Sequence, residues 1–162
     1  MIYIFGDSHA NALFNNLPLP HINYFHPSIT MHRIGRDNTI INFSPSSHQT
    51  DKNSEDIFVL VYGEVDCRCH IQHQINSGRD VETVLFELIE KYFNTIKNNI
   101  CFYGKIVVVG IIPPSNREFF ENKHGEITHE FPFVGTNEER VEYTNIMNDM
   151  LQSYCESNDY VF

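Results

Sequence analysis

The chain has 162 residues, 41% of them hydrophobic, with 13 Phe, 8 Tyr and no Trp, which is enough for one domain with a substantial core. Its formal net charge of -10 argues against nucleic acid as a partner, since phosphate binding needs a basic face, and against docking on anionic membranes. No apolar run approaches membrane-spanning length, no basic-then-apolar leader precedes the first strand, and Cys67 and Cys69 stand too close together for a disulfide framework; with Cys101 and Cys155 they read as reduced thiols of a cytoplasmic protein.

Ile2-Tyr3-Ile4-Phe5 reads as a buried strand that stops at Gly6-Asp7-Ser8-His9, and residues 8 to 16 suit a short helix. Such a joint puts its turn at the C-terminal edge of a parallel sheet, where α/β proteins place ligands. It also sets Ser8 at a helix start, where free N–H groups favour negative charge. Pro18, Pro20 and Pro27 keep the next stretch irregular, with a short strand at 22–25. Residues 28 to 56 are rich in turn formers, including Ser44-Pro45-Ser46-Ser47, with a strand or loop at 39–43. The apolar run from Asp56 to Gly63 reads as a central strand buried on both faces.

The clearest helix spans 80 to 98, where Val81, Val84, Leu85, Leu88, Ile89, Tyr92, Phe93 and Ile96 keep one face apolar. Lys105 to Ile112 is another buried strand, closed by Pro113-Pro114. Residues 115 to 135 form a long polar loop with short helical pieces. Thr136 and Glu139 make a capping box opening a last helix to about Ser157, with Val141, Thr144, Met147, Leu151 and Tyr154 on one face. Tyr160-Val161-Phe162 reads as the start of one more strand. The alternation predicts α/β, a three-layer α/β/α sandwich with a central parallel sheet and right-handed crossovers.

The polar groups that matter all follow strands: Gly6-Asp7-Ser8-His9, the loop Met31-His32-Arg33-Ile34-Gly35-Arg36-Asp37, the loop Gly63-Glu64-Val65-Asp66-Cys67-Arg68-Cys69-His70, and Pro113-Pro114-Ser115-Asn116. Loops after parallel strands share one edge and can converge. Read from the residues alone, Ser8 is either a helix cap or a nucleophile. Glu64, Asp66 and Arg68 form either a structural ion-pair cluster or a substrate clamp. Arg33 and Arg36 suit a carboxylate, phosphate or sulfate beside an active serine. Cys67, Cys69 and His70 fall short of a metal set, which wants three or four ligands and a second shell, so no metal and no cofactor are expected. Tyr92, Phe93 and Tyr154 read as core, and the Phe119-Phe120 and Phe131–Phe133 pairs as pocket wall or loop anchors.

In order, the Gly-Asp-Ser turn, a Gly in the second block and the Gly-x-x-Asp of the third resemble the SGNH (GDSL-type) hydrolases, over most of one domain spanning 1–162. The second and third blocks look like a subgroup linked with glycan modification. The resemblance implies a flavodoxin-like sheet, a catalytic Ser8, an oxyanion held by the N–H groups of Ser8 and Gly35, and Asp7 organising the turn. It implies a small-molecule or glycan ester as substrate, with His9, Arg33, Glu64, Asp66 and Arg68 on the substrate side. Two departures stand out. Val65 occupies the position of an Asn oxyanion donor and cannot donate. The family's late Asp-x-x-His block, source of base and orienting acid, has no counterpart within 1–162, so the domain reads as truncated at its last strand; His129, His9 and His70 are the in-chain candidates for the base. Without a base a serine hydroxyl is a weak nucleophile. The alternatives are therefore a catalytically silent domain binding a glycan or small anion, and a fragment whose open sheet edge pairs with another chain, a second copy included.

Overall fold

The computed structural model describes residues 1–41, 43, 55–100, 104–126 and 131–162. Four short parallel strands form one sheet: β1 (Ile2–Gly6), β2 (His21–Phe25), β3 (Ile57–Val61) and β4 (Lys105–Val108), in the order β2-β1-β3-β4. The helices among the described residues are α1 (Ser8–Phe14), α2 (Met31–Asp37), α3 (Ile71–Asn76, entered through a π turn at Asp66–His70), α4 (Val81–Ile100), α5 (Arg117–His124) and α6 (Asn137–Ser157). The chain is thus α/β, in an arrangement consistent with three layers. No helix among the described residues is long and apolar enough to cross a membrane.

Period-two alternation divides the central strands between the two faces of the sheet. Phe5, Phe58 and Leu60 enter the larger core with Met31 and Ile34 of α2, the apolar stripe of α4, and Met147, Leu151 and Cys155 of α6. Ile4, Val59 and Val61 point the other way, onto Ala10 and Phe14 of α1. Between α4 and α6, Phe93 stacks on Tyr154 with ring centroids 4.9 Å apart. Strand β4 is shorter than its sequence signature, but Val107 bridges in parallel to Val161, so the expected last strand begins where its residues indicate. The cysteines described, Cys67, Cys69 and Cys155, are buried thiols. Cys101, His129 and the Ser44–Ser47 breaker lie outside the described residues.

Three readings need correction. The stretch 31–37 reads as a loop yet is helix α2, capped by the Thr30 side chain, which accepts from the Arg33 amide. The block after β3 also reads as a loop, yet the helical path begins at Glu64 and runs to Asn76. In α6 the inward face is carried by Arg140, Tyr143, Thr144, Met147, Leu151 and Cys155, while Val141 is exposed.

The capping box at α6 is present in full. The Thr136 hydroxyl accepts from the Glu139 amide at 3.1 Å, and the Glu139 carboxylate accepts from the Thr136 amide at 2.7 Å. Thr136→Ala should lower unfolding free energy by about 1 kcal/mol, with Thr136→Ser close to wild type. Urea denaturation followed by circular dichroism checks this.

Candidate functional site

The turn after β1 is built from buried polar groups. The Asp7 amide donates to the Val61 carbonyl at 3.1 Å, tying the turn to β3. Asp7 is 1% exposed. It caps α1, its Oδ1 accepting from the His9 amide at 2.8 Å, and the same oxygen meets His9 Nδ1 at 3.0 Å. That bond to Asp7 raises the His9 pKa above its usual value, against desolvation, with the charges of Asp7 and Glu64 assisting. An imidazole held at Nδ1 by a carboxylate has its tautomer and orientation fixed. Ser8, first in the helix, is exposed. Its amide has no acceptor within the helix, and its hydroxyl makes no hydrogen bond among the described residues.

Beside this turn, the end of β3 supplies a second pair. Gly63 adopts φ +115°, and a Cβ there would lie 2.6 Å from Ile111 Cδ1; a side chain would thus meet both strain and steric conflict. The bend delivers Glu64 and Arg68, one helical turn apart, into a mostly enclosed position. Arg68 Nη1 stands 3.7 Å from Glu64 Oε2. Glu64 Oε2 and Arg68 Nε are both buried without a hydrogen-bond partner among the described residues. Burial pushes the Glu64 carboxyl above its ordinary pKa, with Arg68 and His9 pulling the other way. The Arg68 guanidinium lies 5.7 Å from the Phe133 ring centroid, and Arg140 lies 5.0 Å from the same ring. Phe120 packs edge-on to Phe133, so this aromatic pair walls the charged cluster, while Phe119 is exposed. A narrow crevice bounded by Asp7, His9, Tyr62, Glu64, Gly110 and Ile111 opens at the ends of β1, β3 and β4.

The structure thus gathers Asp7, His9, Glu64 and Arg68 at one sheet edge, with Ser8 at the turn. The other expected residues lie elsewhere. Asp66 is fully buried, its two oxygens accepting from the Met31 amide at 2.7 Å and the His32 amide at 3.1 Å. Burial lifts its pKa to about 7 even though both amides favour the charged form. It fastens α2 and has no surface for a substrate. Gly35 lies in the interior of α2, where a Cβ would stand 2.8 Å from Lys91 Cβ of α4. An amide past the first turn of a helix bonds to the carbonyl four residues back, so the oxyanion donor expected at Gly35 is spent inside α2. Arg33 is half exposed on α2 and pairs with Asp37 at 3.6 Å. Val65 is buried.

Sequence reasoning weighs His70 as a base or metal ligand but does not foresee that four histidines share one site. His26, His32, His70 and His73 line one cleft with Arg33 and Arg36. The signal lay in the same post-strand blocks, but only the folding of two of those blocks into helices turns these side chains toward one another. Compared with family models, curated protein sequences and solved structures, the chain gives no significant match in any of the three.

Proposed function

We propose that the chain is an SGNH-like serine hydrolase acting on ester or acetyl groups, those of carbohydrates included, at the turn after β1. The observation that carries this reading is Ser8: an exposed hydroxyl at the end of a central strand, on an amide left free by the helix start, next to an imidazole oriented by a buried carboxylate. The strand order β2-β1-β3-β4, with Val161 beside β4, supports a flavodoxin-like sheet and agrees with the same reading.

In this chemistry Ser8 Oγ attacks the ester carbonyl and loses its proton to a base. The developing oxyanion accepts from the Ser8 amide. Collapse expels the alcohol, which takes up the proton, and water then releases the acyl group. His9, held at Nδ1 by Asp7, presents Nε2 as the in-chain base, and the bond to Asp7 raises its pKa above the usual value. Glu64 and Arg68, with one buried unpaired atom each, receive the polar groups of the substrate.

A second reading, a silent domain that binds a glycan or small anion, is favoured by buried Val65 and by the commitment of the Gly35 amide within α2. A fluorophosphonate probe separates the two. The hydrolase reading expects labelling that Ser8→Ala abolishes, and p-nitrophenyl acetate turnover that falls by about 100-fold or more in the same variant. Wild-type protein that is never labelled, but binds a glycan in a manner dependent on Glu64 or Arg68 and indifferent to Ser8→Ala, establishes the second reading and removes the first.

A further inference from the structure

Outside the Ser8 site, the feature with most unexplained chemistry is the cleft bounded by His26, His32, Arg33, Arg36, His70 and His73, of about 510 Å³. No Asp or Glu among the described residues lines it, in a chain of net charge -10. Its centre is a pair of imidazoles: the rings of His32 and His70 stack with centroids 3.9 Å apart and planes 32° from parallel. His32 comes from α2 and His70 from the π turn, so the pair joins two elements far apart in sequence. His26 binds the Pro27 carbonyl through Nδ1 at 2.8 Å. Its neutral form therefore carries the proton there, and Nε2 remains available.

Two neutral or singly protonated rings in van der Waals contact are tolerable, but two cations there repel. Their surroundings favour the neutral form of both rings. Burial comes first for both. His32 also meets Arg36 and Lys91, with Asp37 opposing, and His70 meets His32, His73 and Arg79. The His70 pKa falls to about 4. Of the nearby acids, Glu87 is paired with Arg79 and Lys91, while Asp37 is shared by Arg33 and Arg36, which hold further N–H donors for an anion. A metal is the poorer occupant, because no three His, Cys, Asp or Glu side chains among the described residues are placed to hold one. The Cys69 thiol, on the same wall, donates to the Val65 carbonyl.

We propose that this cleft binds the oxyanion of a phosphate or sulfate ester, using the His32–His70 pair as its floor and Arg33 and Arg36 as its rim. The cleft has room for the organic part of such a molecule as well as for the anion, within the usual range of small-molecule sites. An anion seated there receives charge-assisted hydrogen bonds from the two guanidinium groups. It also offsets the repulsion that keeps the imidazoles unprotonated, so binding takes up protons and tightens toward acid. The site does not depend on chemistry at Ser8.

Inorganic sulfate is the cleanest probe, since its charge is constant across the titration range of histidine. Affinity should rise about fivefold between about pH 7.5 and about pH 5.5, and the NMR midpoints of the His32 and His70 C2–H resonances should each rise by about one unit at saturating sulfate. His32→Gln and Arg36→Gln should each weaken sulfate binding by about fivefold or more, while Ser8→Ala leaves it unchanged. Inorganic phosphate should compete for the same cleft, and sodium chloride at matched ionic strength should not move the resonances. Absence of saturable sulfate binding up to about 50 mM at about pH 5.5, where a weak site already registers, would overturn the proposal. So would equal shifts in chloride, or wild-type affinity in the two folded variants. Loss of sulfate binding in Ser8→Ala would overturn the independence of the two sites, whereas failure of the fluorophosphonate experiment leaves this one standing.

Discussion

Replacing Asp66 with Ala should cost about 3 kcal/mol or more of unfolding free energy and lower Tm by about 10 °C. The Asp66 carboxylate is the acceptor for two amides at the start of α2, those of Met31 and His32. Removing it leaves the buried Met31 amide and the partly buried His32 amide without their acceptor, and the buried one carries its full desolvation penalty. Asp66→Asn keeps one acceptor oxygen and should lose less. Thermal denaturation of the two variants beside wild type checks the order. The pH dependence gives an independent readout. The folded pKa of Asp66 is about 7, above that of an unfolded aspartate. The folded state therefore holds this proton more tightly, and the associated stability is fully present below the unfolded pKa of about 3.9 and lost as pH rises through about 7. Wild type should lose stability relative to Asp66→Asn between these two values. A difference that stays flat across that window would show that Asp66 does not titrate within it.

Gly6→Ala should be comparably severe, at about 3 kcal/mol. A Cβ at this position would stand 2.5 Å from the Val61 carbonyl oxygen and 2.6 Å from Ala10 Cβ. The first is backbone of β3 and the second belongs to α1, so neither can move aside as the tip of a flexible chain would. The displaced carbonyl is also the acceptor for the Asp7 amide. The substitution thus disturbs the Asp7–Ser8–His9 turn along with the packing. Chemical denaturation should report the lost stability, and fluorophosphonate labelling of the folded fraction should fall with it. A Gly6→Ala protein as stable as wild type would mean that β3 and α1 yield more readily than their contacts indicate.

These two positions mark where sequence reasoning succeeds and where it fails. The turn at Gly6-Asp7-Ser8-His9 is legible because its signals are local: an apolar strand, a glycine, a capping aspartate and a helix-competent run. The same holds for α4, whose apolar residues repeat at helical spacing, and for the α6 capping box. Helix α2 is not legible in this way. It is only seven residues long and carries a glycine, and isolated helices of that length are unstable in water. It exists because Asp66, 35 positions away, satisfies its first amides and because Gly35 lets it approach α4. The helical path after β3 is hidden for a related reason. Glu64, Asp66 and Arg68 look like one acidic-basic loop cluster, but helical geometry sends the Asp66 side chain under α2 and leaves Glu64 beside Arg68. The histidine cleft needs both helices in place before His32 and His70 can meet, so no local pattern announces it.

The π turn at Asp66–His70 has a consequence for how this segment can change over evolutionary time. Four side chains with separate duties sit on it and on the turn just before it: Glu64 toward the crevice, Asp66 beneath α2, Arg68 beside Glu64, and His70 toward the histidine cleft. Each residue added to or removed from a helix rotates everything beyond it by about 100°. A one-residue insertion or deletion between Val65 and Arg68 would therefore swing His70 away from its partner ring and misdirect Arg68 at the same time. Point substitutions can be absorbed one duty at a time, but the length of this stretch is fixed by all of them together.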